Sequence, residues 1–219
     1  MPRYLYSIED DGWQAGPLLQ GLLLTLEITA VSLLLSLLIG LLTALMRLSS
    51  SPMAKGIAWG YLEAIRNTPL LIQIFIIYFV FAPILDLGRF SSAVLALSLF
   101  EGAYASEIIR AGILSIPLGQ WESSASLGLR TSQIYRFIIL PQAIRQMIPP
   151  LTSQGISLIK DSALVSTIAI YDLTMQGQQI VAETFLTFEI WFTVAAIYLA
   201  VTTTLSLLVR YLERLFAVH

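Results

Sequence analysis

The chain has 219 residues, of which 57% are hydrophobic and only 12% charged, and its formal net charge is −2. A soluble domain carries a charged fraction of about 25%, so this composition excludes one and points to an integral membrane protein. The absence of cysteine, and a single histidine at His219, exclude disulfides, thiolate chemistry, histidine catalysis and zinc motifs, and the lack of a basic block excludes nucleic acid as a partner.

Residues 1–16 are polar and acidic, with Glu9, Asp10 and Asp11, and lack the basic segment of a signal peptide. The first predicted span covers residues 18–46, an apolar run longer than the ~20 residues a bilayer requires. Glu27 interrupts it, and Thr25, Thr29, Ser32 and Ser36 are scattered along it. Arg47, the break at Ser49-Ser50-Ser51-Pro52 and Lys55 form a short basic turn. An amphipathic piece, 54–66, leads into the second predicted span, 67–83. Pro69 sits just inside a helix start that Asn67 or Thr68 caps. Glu63 and Arg66 are spaced to pair on one helical face.

Asp86 and Arg89 mark a polar loop before the third predicted span, 91–114, which starts apolar and then acquires Glu101, Tyr104, Glu107 and Arg110. Glu107 and Arg110 are placed to neutralise one another, whereas Glu101 has no such local partner. A polar island follows at 117–141. Glu122 opens a short helical run with the small residues Ser123, Ser124, Ala125 and Ser126, and Gly128 ends it because glycine adopts the left-handed conformation of a sharp turn. A second helical run, 131–139, stops at Leu140-Pro141, since proline disfavours helix at the preceding residue. Leu118, Trp121, Leu127 and Leu129 hold the resulting helix–turn–helix knob at the membrane surface.

The fourth predicted span, 142–170, is broken at Pro149-Pro150 and carries Gln154, Ser157, Lys160 and Asp161 at bilayer depth. A polar excursion, 171–189, precedes the fifth span, 190–209, and a tail with Arg210 and Arg214. Lysine and arginine placement orients the chain: Arg47, Lys55, Arg110, Arg130, Arg136, Arg145, Arg210 and Arg214 belong inside, leaving Arg3 and Arg89 outside. The expectation is an all-α membrane protein of five spans, amino terminus out and carboxyl terminus in, with 117–141 in the cytoplasm.

Glu122, Gly128, Ile138 and Leu140-Pro141 reproduce the spacing of the EAA loop, and the chain is identified by it as resembling the permeases of ATP-binding-cassette importers. The usual Glu-Ala-Ala is here Glu122-Ser123-Ser124, a departure that keeps small side chains. Further stretches resemble the polar amino-acid branch: Arg66-Asn67-Thr68-Pro69-Leu70-Leu71, Ser106-Glu107-Ile108-Ile109-Arg110-Ala111-Gly112, Ile148-Pro149-Pro150 and Ile159-Lys160-Asp161-Ser162. The resemblance implies that Glu122, Ser123, Ser124, Gly128, Ile138, Leu140 and Pro141 dock a separate cytoplasmic ATPase dimer that carries ATP and magnesium. It also implies a second permease subunit, identical or related, and an extracytoplasmic solute-binding protein. Glu101 is similar to what some glutamate/aspartate permeases show. This chain itself is neither an enzyme nor a cofactor carrier on that reading.

The residues suggest a path for substrate beside the third and fourth spans, at Glu101, Tyr104, Gln154, Ser157, Lys160 and Asp161. An ionisable group at bilayer depth costs roughly 2.5–3.5 kcal/mol on insertion scales, so it faces a cavity or a partner. Gln154, Ser157 and Asp161 share one helical face. The alternative for Lys160 and Asp161 is a structural ion pair. Pro149 and Pro150 are the candidate hinge, with a packing kink as the alternative. A gradient-driven carrier or channel is the competing function class. Such carriers show internal repeats with broken helices in both halves, and no convincing repeat is present.

Overall fold

A computed structural model describes residues 2–9 and 12–216; Asp10, Asp11 and His219 lie outside the described residues. The chain is helical except at its start and at short connections. A one-turn helix α1 (Pro2–Leu5) leads into an antiparallel hairpin, β1 (Tyr6–Glu9) and β2 (Gly12–Ala15), which the polar composition of residues 1–16 did not suggest. Then come α2 (Pro17–Leu48), α3 (Pro52–Arg66), α4 (Leu70–Phe75), α5 (Ala82–Leu85), α6 (Arg89–Leu114), α7 (Leu118–Ser126), α8 (Thr131–Ile134), α9 (Leu140–Asp161), α10 (Leu173–Thr184) and α11 (Thr187–Phe216).

Among the described residues, three helices, Pro17–Leu48, Arg89–Leu114 and Thr187–Tyr211, are long and apolar enough to cross a membrane. A fourth candidate, Pro52–Arg66 with Leu70–Leu85, is bent by 107° at its break. The predicted second span is therefore the far arm of a sharply bent pair. Asn67 closes α3, and Pro69, with ψ of 138°, precedes α4.

Helix α2 turns its polar side inward. Thr25, Thr29, Ser32, Ser36 and Thr43 are buried, while Leu23, Leu34, Leu38, Leu41, Leu42 and Leu45 are exposed. Against lipid this is the favourable arrangement, because leucine gains nothing by leaving hydrocarbon and small residues let helices approach closely. The hydroxyls at Thr25 and Thr29 return hydrogen bonds to carbonyls one turn back, at 2.9 and 2.7 Å.

Two prolines are absorbed by a widened turn. Residues Ile76–Phe81, before Pro83, and Tyr135–Ile139, before Pro141, are π-helical. Leu140 keeps helical angles and its N–H reaches back to Tyr135. Proline lacks an N–H and its ring crowds the preceding turn, and a π turn relieves both problems. A new element, α9, does begin at Leu140, but the helix is not interrupted there as the sequence suggested; α8, the π turn and α9 run on continuously. Nor is the fourth segment broken at Pro149-Pro150. Both prolines lie inside α9 and are exposed. The other backbone groups still bond along the helix, which apolar surroundings strongly favour because no water replaces a lost bond there. Regular helix ends instead at Asp161, tightens to a 3-10 stretch at Ser162–Ile168, and stops at Ala169 with φ of 56°.

The chain divides into two compact units: residues 1–34, 68–98 and 155–219, and residues 35–67 and 99–154. The first is built on Leu18, Leu173, Ile180, Ile190 and Val194. The second is built on Ala44, Ile109, Ile113, Ile116, Ile134, Ile139, Ala143 and Met147.

Candidate functional site

The polar island lies wholly in the second unit and forms the expected helix–turn–helix. Its first helix starts earlier than read from the residues, at Leu118. Gly128 has φ of +77° and open space where a Cβ would stand. Its N–H donates to the Ala125 carbonyl at 2.9 Å, and the Leu129 N–H donates to Ser124 at 3.3 Å. Those two bonds make a Schellman termination, which requires the left-handed residue that glycine supplies. The next helix opens with the Arg130 N–H donating to Gln133 Oε1 at 2.9 Å.

The four apolar residues expected to hold the knob divide into two pairs. Trp121 and Leu129 pack on the cluster of Ile134 and Ile139, and Trp121 meets Tyr135 edge to face at 5.0 Å. Leu118 and Leu127 point away and are 75% and 81% exposed. Of the signature residues, Ser124 is buried, and Ile138 packs partly against the cluster; Glu122, Ser123, Gly128, Leu140 and Pro141 are exposed. The knob therefore has an apolar base and an outer face that combines a carboxylate, hydroxyls and two leucines.

A charge cluster sits in the same unit. Glu107 accepts from Arg110 at 3.0 Å, as its spacing suggested, and also from Arg47 at 3.1 Å. The second cation, 60 positions away in sequence, joins α2 to α6 and carried no local signal.

The candidate path residues are distributed between the units. Glu101, Tyr104 and Gln154 belong to the second, and Ser157, Lys160 and Asp161 to the first. Glu101 is 1% exposed and its carboxylate accepts from the Gln154 amide at 3.4 Å. Ser157 and Asp161 are half-buried on α9 and Lys160 is exposed, as the helical register requires. Sequence reasoning placed Glu63 against Arg66, but the structure separates them. Glu63 accepts from Asn67 Nδ2 at 2.8 Å, while the Arg66 guanidinium lies over the Tyr104 ring, 5.8 Å from its centroid. Leu62, Glu63, Arg66, Asn67 and Tyr104 line one cleft of about 240 Å³. The signal for it was the run Arg66-Asn67-Thr68-Pro69, where a proline ends one helix and directs its last polar side chains off the axis.

In the first unit α10 rests on a buried polar seat. Asp172 is fully buried, and its Oδ1 accepts from the Met175 N–H at 2.9 Å. The Leu173 N–H donates to Thr25 Oγ1 at 3.1 Å, and Thr174 and Tyr198 share a hydrogen bond of 3.1 Å. Burial pushes the Asp172 carboxyl up to about 6 despite its hydrogen bonds to Met175 and Thr174. Among the described residues no group of acids and histidines could hold a metal ion.

Comparison with known proteins gives a consistent set of likenesses. The family model described as binding-protein-dependent transport system inner membrane component matches residues 36–218. The glutamine transport system permease protein GlnP of Escherichia coli K12 is 41% identical over 206 residues, covering 92% of this chain and 94% of that protein. The L-cystine transport system permease protein TcyB of Bacillus subtilis is 42% identical, covering 89% and 84%. The glutamate/aspartate import permease protein GltK of Escherichia coli O6:H1 is 37% identical, covering 90% and 92%. A solved structure described as an amino acid ABC transporter with histidines superposes with a TM-score of 0.85 at 39% identity, covering 90% of this chain and 93% of that one.

Proposed function

The chain belongs to the family of binding-protein-dependent transport system inner membrane components, and on that premise we propose that it is the permease subunit of an ATP-driven importer of a polar amino acid. It is an integral inner-membrane protein and carries no ATPase of its own; ATP and magnesium belong to a separate cytoplasmic ATPase dimer. A second permease subunit and an extracytoplasmic solute-binding protein complete the assembly. Five spans place the amino terminus outside and the carboxyl terminus in the cytoplasm, with α9 lining the path rather than facing lipid. A polar lining explains why α9 is less apolar than its neighbours.

The observation that carries the reading is the knob. Its base is fixed by Trp121, Leu129 and Tyr135, and its outer face presents Leu118, Glu122, Ser123 and Leu127 on the helix that runs into the Gly128 turn. A surface that leaves two leucines exposed beside a carboxylate is suited to a cleft in another protein. Ser124, Gly128, Ile138, Leu140 and Pro141 hold that face in shape.

Substrate passes Glu101, Tyr104, Gln154, Ser157, Lys160 and Asp161. The acid–amide contact of Glu101 with Gln154 supports a polar path. The narrower assignment to glutamate or aspartate rests on Glu101. Pro149 and Pro150 offer no N–H to the carbonyls of Arg145 and Gln146, which makes α9 easiest to bend there and supports their role as the hinge.

The deciding experiment reconstitutes the chain with its ATPase and binding protein in proteoliposomes and measures uptake from a panel of L-glutamine, L-glutamate, L-aspartate, L-cystine and L-arginine. Uptake that needs internal ATP and the binding protein is the expected result. Uptake driven by an ion gradient without the ATPase would instead favour a carrier. In the same vesicles, native rates in the Pro149→Ala, Pro150→Ala double variant would remove the hinge, and native affinity and rate in Asp161→Asn would remove Asp161 from the path.

A further inference from the structure

The cleft of Leu62, Glu63, Arg66, Asn67 and Tyr104 lies outside the path residues proposed above except for Tyr104. Its two charged side chains stand three residues apart on α3, which separates their Cβ atoms by about 5–6 Å. Each is held in place by a third group. Asn67 Nδ2 fixes the Glu63 carboxylate at 2.8 Å, and the Tyr104 ring lies against the Arg66 guanidinium.

Arg66 is the cation of this cleft. Glu107, the acid whose field it feels, already accepts from both Arg47 and Arg110. Among the described residues no carboxylate stands within 4.0 Å of Arg66. The side chain is exposed at the carboxyl end of α3, so its guanidinium is open to an anionic ligand.

We propose that this cleft is a subsite for the main chain of the transported amino acid, with Arg66 taking the α-carboxylate and Glu63 the α-ammonium. Arginine's planar fork matches a carboxylate bidentately, and the Tyr104 ring, 5.8 Å from the guanidinium carbon, draws the cation to this side of the cleft. The cleft carries one charge of each sign, so it fits a zwitterion better than a simple anion or cation. It leaves the substrate side chain to be read by other residues, consistent with a scaffold whose relatives are named for glutamine, cystine and glutamate/aspartate. The inference rests on the amino-acid import reading.

The test uses the amino acid from the uptake panel that the wild-type assembly imports fastest. Its binding to the permease–ATPase complex in nanodiscs, without binding protein, is measured by calorimetry beside its decarboxylated amine and its N-acetyl derivative. Arg66→Gln should weaken amino-acid binding at least ten-fold and leave the amine's affinity unchanged. Glu63→Gln should weaken amino-acid binding while leaving the N-acetyl derivative unaffected. Arg66→Lys, which keeps the charge without the fork, should fall between, and it carries the test if Arg66→Gln fails to assemble. Arg66 variants that bind the amino acid within two-fold of wild type, or that weaken it and the amine equally, overturn the subsite. So does a wild-type complex that imports the amino acid but shows no saturable binding at millimolar concentration. If the wild type imports no member of the panel, the import reading itself fails, a result separate from a silent Arg66 substitution in an active importer.

Discussion

Helices α7 and α10 are both short, of 9 and 12 residues, yet they are fixed by opposite means. Helix α7 has no side-chain cap. It sits on apolar contacts of Trp121 and ends in the Gly128 turn, with its polar face outward. Helix α10 begins at a fully buried Asp172 whose side chain caps it, and its first N–H reaches Thr25 of α2. Beneath it, a Cβ at Gly21 would stand 2.8 Å from the Asp172 carbonyl oxygen. The contrast separates two kinds of polar residue in one membrane chain. On α7 all but Ser124 are displayed, whereas at the start of α10 Asp172 is enclosed and part of the packing.

The sharpest way to break that contrast is Gly21→Val. The new side chain meets backbone, which cannot rotate away, so the cost is about 3 kcal/mol. For a chain of this size that lowers the melting temperature by roughly 6–12 °C. A native melting temperature for the purified variant would mean that α2 and α10 are not so closely apposed.

Next in size is the pH response of the α10 seat. A carboxyl raised from 3.8 to about 6 in the folded chain binds its proton more tightly folded than unfolded. Its stabilising contribution is complete below about pH 4 and is lost as pH rises through about 6, a change of roughly 2–3 kcal/mol. Melting temperature should fall over that window in wild type, and the Asp172 component should vanish in Asp172→Asn, where asparagine still caps the helix. An identical pH slope in the variant would refute the assignment.

Gly128→Val tests the other helix. Holding a β-branched residue at a left-handed angle costs about 1–2 kcal/mol. The loss should appear chiefly in function, with ATPase association and uptake falling while the protein still inserts. Undiminished ATPase binding would detach the knob from coupling.

The smallest effect on stability belongs to Leu127→Ser. The side chain is 81% exposed, so stability should stay within about 0.5 kcal/mol, while ATPase association drops several-fold. If instead the melting temperature falls and association holds, Leu127 is a packing residue and the two helices are less different than they look.

What was legible in the sequence was local. Gly128 and its small-residue neighbours define a turn within a few positions, and Glu107 with Arg110 are one helical turn apart, so each follows from backbone geometry alone. The prolines were less transparent. Their missing N–H was plain, but whether a helix stops, widens or continues depends on its surroundings. Pro141 is met by a π turn, and Pro149-Pro150 simply stays helical. Likewise Thr25 and Ser32 looked scattered until the fold showed them buried in one inward stripe.

The sequence by itself determined that this is a helical membrane chain with a polar knob of the coupling-loop pattern, because hydropathy, charge placement and turn chemistry act over short distances. Only the tertiary structure decided which polar groups meet. Arg47 reaches Glu107 across 60 positions, Thr25 meets Leu173 across 148, and Arg66 leaves Glu63 for the ring of Tyr104. A charged or hydroxylated side chain in an apolar environment must find a partner, and composition fixes that need. Which partner it finds is set by how the helices pack, and no local pattern encodes that.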